Sequence, residues 1–167
     1  MTFRKAAVLG ALIAVMATTV PAAGTILEYS VNDMVRGSET IVRGRVVGQQ
    51  SYWLTDPRII VTDVSLVVDE VWKGWYEPGK QLLLTVPGGQ VGEIGMRQEH
   101  APVFSMEEDA VLFLWKMPDG DGSYSVFNDE QGKYTVHGDE VVGFKRQAIP
   151  LAEFRAAIDR AIDSGQR

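Results

Sequence analysis

The sequence predicts a mainly β domain of the α+β class: a small closed or partly open β-barrel with a short helix before it and a longer one after it. Three observations point there. Short segments of strand alternation recur between glycine and proline turns, one long segment changes phase midway, and apolar residues at helical spacing mark the two ends of the domain.

Residues 1–22 stand apart from that domain. Met1-Thr-Phe-Arg4-Lys5 is a basic start, Ala6 to Ala17 is an apolar run broken by Gly10, and Val20-Pro21-Ala22 offers the small residues a signal peptidase reads. The run spans roughly 12 to 15 residues, short of the roughly 20 a helix needs to cross a bilayer. The expectation is therefore a cleaved export signal, 1–22, followed by a single domain, 23–167, secreted or periplasmic. No cysteine follows the cleavage site for lipid attachment, and Arg4 is followed by Lys5 where the twin-arginine route needs a second arginine.

Removing that signal takes away Arg4 and Lys5 and no acid, leaving the domain two units more negative than the −6 of the full chain. An acidic balance repels phosphate backbones and anionic membrane surfaces, so nucleic acid is not an expected partner; no second hydrophobic segment follows the signal, so no membrane span is expected in the mature chain. With 0 cysteines no disulfide can staple an exported chain, so packing and hydrogen bonding must hold it; 46% hydrophobic residues and 4 tryptophans suit that.

Ser30-Val31-Asn32-Asp33 reads as a helix start, an N-cap serine with an acid three residues on, and Gly37 ends the helix. Thr40 to Val47 alternates as a strand, with Val42, Gly44 and Val46 inward and Arg43 and Arg45 in solvent. Ile59 to Trp72 is the longest strand. Ile60, Thr62, Val64, Leu66 and Val68 share its buried face, and the phase then slips so that Val71 looks inward across Asp69 and Glu70, which marks a β-bulge. A long strand bent at a bulge can serve two sheets, as small barrels require.

Further strands are predicted at 82–86, 90–97 and 110–115, the last apolar on both faces and so covered on each side. Asp119-Gly120-Asp121-Gly122 turns the chain into a strand at 123–127. A hairpin at 133–137 and 141–144 turns at Gly138-Asp139. After Pro150, Leu151, Phe154, Ala157, Ile158, Ala161 and Ile162 repeat at helical spacing until Gly165, and the end helices pack on the barrel or plug it.

Catalytic candidates are few. There is no G-x-S-x-G elbow, and His100 and His137 are the sole imidazoles; neither Glu99-His100 nor His137-Gly138-Asp139-Glu140 has zinc-ligand spacing. Asp119, Asp121, Ser123 and Glu130 imitate calcium-loop spacing, but Tyr124 occupies the place where the turn needs glycine. Pro87 to Gly95 is glycine-rich without the Lys-Ser/Thr pair or helix of a phosphate loop, and reads as a tight turn with close backbone approach. No cofactor and no metal is implied. Trp75 and Tyr76 fall on a loop after the long strand, and with Tyr52 and Trp53 from the preceding connection they are the candidate partner-binding residues, able alternatively to cap the barrel core.

Ser38-Glu-Thr-Ile-Val-Arg-Gly-Arg-Val46, Val71-Trp-Lys-Gly74, Val86-Pro-Gly-Gly89, Ala101-Pro-Val-Phe104 and Val111-Leu-Phe-Leu114 resemble, in that order, a group of small exported bacterial proteins of uncharacterised function. More distantly, an I-V-x-G-x-V strand and a long strand closing on Lys-Gly resemble the netrin-type module of tissue inhibitors of metalloproteinases. That resemblance implies an OB-like barrel. It implies no inhibition, because those inhibitors place an N-terminal cysteine on the protease zinc and this chain has none.

The resulting expectation is an exported, non-enzymatic binding or interaction module for a protein or glycan partner in the envelope or medium. The alternative is an exported hydrolase or metal-dependent enzyme using His100 or His137 with nearby carboxylates.

Overall fold

The structure, a computed structural model, describes residues 28–56, 58–118 and 122–165. Residues 1–27, which include the expected export signal, and most of the Asp119–Gly122 turn lie outside the described residues.

The chain opens with helix α1 (Val31–Gly37), where Ser30 and Asp33 form a reciprocal capping box. Lys73 closes its other end, donating from Nζ to the carbonyls of Val35 and Ser38. A cation there complements the helix dipole, and burial pulls the Lys73 ammonium below its ordinary pKa.

Two long strands follow, β1 (Thr40–Leu54) and β2 (Ile59–Lys73), paired antiparallel over their whole length. β3 (Gln81–Pro87) continues the meander on β2. Residues 90–97 differ from the predicted single strand. They form a small hairpin, β4 (Gly89–Val91) and β5 (Ile94–Met96), because Gly92 takes a positive φ and reverses the chain. β6 (Asp109–Lys116) and β7 (Tyr124–Val126) pair antiparallel, and β7 meets β3 in parallel at Leu84 and Tyr124. Since β6 also pairs with β1, from Thr40–Leu114 to Arg45–Asp109, the path β1-β2-β3-β7-β6 returns on itself as a partly closed ring. β8 (Lys133–His137), β9 (Glu140–Val142) and β10 (Ala148–Pro150) extend the sheet from β6, and α2 (Leu151–Gly165) ends the chain. Among the described residues no helix is long and apolar enough to cross a membrane.

The phase slip is a bulge where the sequence places it. Gly44 faces Val68 and Arg43 faces Glu70, so Asp69 has no partner across the ladder. Val71, beyond it, packs against the barrel interior. A second slip leaves Val47 unpaired between Val46–Leu66 and Gly48–Ser65. Such insertions coil the strands. The coil brings β1 and β2 so close that a Cβ on Gly44 would lie 2.3 Å from the Val67 carbonyl oxygen.

Two cores share one wall. Val42, Val46, Val64, Leu66, Val68, Leu84, Leu112 and Leu114 fill the barrel. Met34, Ile41, Trp72, Val111, Phe113, Phe154 and Ile158 form a second core between its outer surface and the two helices. β6 is therefore apolar on both faces, and the helices pack on the barrel without plugging it. Phe154 anchors α2, with its ring 4.4 Å from that of Tyr134 and 6.3 Å from that of Phe113. Arg45 is in solvent as its alternation predicts, but Arg43 is half-buried and bound, meeting Asp109 at 2.8 Å and Glu70 at 3.1 Å.

Candidate functional site

Val86-Pro-Gly-Gly89 and Ala101-Pro-Val-Phe104 face each other across a groove of about 330 Å³. Its floor comes from Gln49, Thr62 and Val64, where β1 and β2 run on past the last β6 pairing at Arg45. Met96, Arg97 and Gln98 line the groove beside the first wall: a Cβ on Gly88 would lie 3.0 Å from the Met96 carbonyl oxygen, and Gly89 pairs with Met96.

The first wall is held by hydroxyl groups. Ser51 Oγ and Thr62 Oγ1 lie 2.8 Å apart, and Thr62 donates to the Gly88 carbonyl at 2.7 Å. Gly88 and Gly89 both take positive φ, which lets the chain leave β3 and turn back into β4. A Cβ on Gly89 would sit 2.3 Å from Thr62 Oγ1. The close backbone approach read from the glycines is real, and this contact requires it.

The second wall, Ala101–Phe104, belongs to the loop of residues 97–108, which is fastened at three places. Phe104 inserts its ring into the barrel core while its carbonyl accepts from Gln49 Nε2 at 3.1 Å. His100, at φ 63°, lies 2.8 Å through Nδ1 from Glu130 Oε1, and the Glu130 amide donates to the His100 carbonyl at 2.9 Å. At the base, Glu108 accepts from the Ser105 amide at 2.9 Å and from Thr135, and pairs with Lys133. Lys133 also lies over the Phe104 ring, with Nζ 5.1 Å from its centroid. A groove with both walls tied down before any ligand arrives is pre-organised for binding.

The aromatic candidates are placed as follows. Trp75 is 92% exposed on the loop after β2. Tyr76 is half-buried, donates to the Gln81 carbonyl at 2.7 Å and packs edge-on against Tyr124 over the barrel core. Burial, with Tyr124 beside it, raises its phenol above the ordinary pKa. Tyr52 and Trp53 lie at the opposite end of the hairpin, where Leu54 pairs with Ile59, whereas Trp75 follows the end where Ile41 pairs with Lys73. At about 3.3 Å per residue the strand between them is about 45 Å long. The four therefore do not form one patch. Trp53 carries Arg58 against its ring at 5.2 Å, and the Tyr52 hydroxyl reaches Asp63 at 3.3 Å.

The imidazoles are also separated from the groove's lining. His100 is exposed between Glu130 and Glu99, which lies 3.6 Å from Nε2. The hydrogen bond to Glu130, and the negative charges around it, hold its pKa above the ordinary value. His137 is exposed at the end of β8. Among the described residues no three His, Asp or Glu side chains are grouped to hold a metal ion. Glu130 belongs to the 129–132 turn with His100 as its neighbour, and the acids that would begin a calcium loop lie outside the described residues.

No family model and no curated protein matches the chain.

Proposed function

We propose that the protein is an exported, OB-like binding module that recognises a protein or glycan partner and does not transform it. The five-stranded path β1-β2-β3-β7-β6, closing on β1 with one parallel contact, supports the OB-like assignment. The netrin-type resemblance of the two long strands points the same way. The single observation carrying recognition is the pre-organised groove between Val86–Gly89 and Ala101–Phe104. Its apolar lining with a few polar groups is the composition binding sites favour. Trp75, fully presented on its loop, is a second and separate contact; Tyr76 stiffens that loop beneath it.

Affinity capture from envelope extracts tests this with three baits: the mature domain, Val103→Asp in the groove and Trp75→Ala on the loop. Both altered residues are exposed, so all three fold. The partner should be retained by the native domain and lost by Val103→Asp, with Trp75→Ala weakening capture by less. Equal capture by all three baits would refute the groove as the recognition site.

A further inference from the structure

The groove carries one charge. Arg97 lines it, and among the described residues no carboxylate lies within ion-pair distance of the Arg97 guanidinium. Arg97 is exposed, and every other lining residue is uncharged, so on a chain of net charge −6 its unpaired guanidinium is the group in the groove that suits an anion. Glu99, two residues on, turns toward His100.

The Ala101–Phe104 wall offers a second feature. Pro102 and Val103 belong to no helix or strand, and among the described residues the Val103 amide and carbonyl make no hydrogen bond. The Val103 side chain is 67% exposed, an aliphatic group held over the groove without cover. A main chain with a free donor and a free acceptor is what an extended peptide can pair with. Facing it are the apolar groups of Val64, Val86, Pro87 and Met96.

Volume limits the guest. At about 30 Å³ for each water-sized occupant, the space holds on the order of ten to fifteen non-hydrogen atoms, which is about two apolar residues.

Resting on the groove as the recognition site, we infer that it captures the free, apolar C-terminus of a partner polypeptide, laid extended along Pro102–Val103 with its terminal carboxylate on Arg97. A carboxylate meets a guanidinium through two parallel hydrogen bonds. The last two side chains enter between Val86 and Val103.

The test uses the mature domain and two acetylated tetrapeptides ending in Val-Leu, one with a free carboxylate and one amidated, followed by calorimetry and by methyl NMR shifts of Val64, Val86 and Val103. The free acid should bind at least tenfold more tightly than the amide. Arg97→Gln should erase that difference, and Val103→Asp should weaken both peptides. Circular dichroism melting verifies that both variants fold. Equal binding of acid and amide overturns carboxylate capture while leaving the groove in use. No binding of either peptide, with capture from envelope extracts still sensitive to Val103→Asp, overturns C-terminal recognition alone. Decanoate binding as tightly as the free-acid peptide would move the site to acyl chains and also overturn the inference.

Discussion

Lys133 and Glu108 form an ion pair that is nearly removed from water: their side chains are 14% and 8% exposed, with Nζ 2.5 Å from Oε1. The pair joins the first residue of β8 to the loop that leads into β6, directly beneath the groove's second wall.

Removing one partner strands the other charge in a poorly solvated place. Glu108→Ala should cost about 3 to 5 kcal/mol, whereas Glu108→Leu with Lys133→Leu should cost clearly less, because the double change leaves no orphaned charge. Urea titrations of the single and double variants measure both.

Gly44 lies where β1 and β2 approach closely. A methyl group there meets the Val67 carbonyl oxygen at 2.3 Å, so Gly44→Ala should destabilise by about 1 to 3 kcal/mol through forced displacement of the strands. Gly48→Ala, whose Cβ would stand 3.6 Å from Ser65, is the matched control and should cost much less. Thermal melts of the two variants separate crowding from a general effect of losing glycine.

The contact between His100 and Glu130 predicts a pH dependence of known sign. Its folded pKa is raised, first by the hydrogen bond to Glu130 and then by the surrounding acids. A raised imidazole pKa contributes stability that is complete below about 6.5, the unfolded value, and is lost as pH rises through the folded value. Amide exchange of residues 97–104 should therefore be slower at pH 5.5 than at pH 8 after correction for intrinsic rates. His100→Gln should flatten the difference; an unchanged profile in that variant would assign the effect elsewhere.

Two large aromatic residues should behave oppositely on truncation. Phe154 is 1% exposed among Tyr134, Phe113 and Trp72, and its change to Ala should cost about 3 to 5 kcal/mol. Trp75 is 92% exposed, and Trp75→Ala should leave the melting temperature within a degree or two while altering partner capture.

Much of the barrel was legible because its signals are local. The capping box at Ser30, the bulge at Asp69, the two-faced apolar strand at 110–114 and the helical stripe ending at Ile162 each follow from spacing within a few residues. Polar Gln49, Gln50 and Ser51 hid the second half of β1, which the pairing with β2 holds in place despite weak strand character. Gly92 hid the β4–β5 hairpin for the same reason: a single positive φ decides between one strand and two. The groove was half legible. The glycine run implies a turn of close approach, whereas Ala101-Pro-Val-Phe104 carries only a family resemblance, and their opposition across β1 and β2 is a long-range fact that no window of sequence contains.

The shared wall of the two cores has a mechanical consequence. Leu112 and Phe113 are chain neighbours, yet one belongs to the barrel and the other to the helical layer. Peeling α2 away would uncover the back of the same ribbon whose front closes the cylinder, so loosening one compartment loosens the other. The molecule should melt in one step, and a protease that nips the tail should erode the mouth of the barrel at a distance.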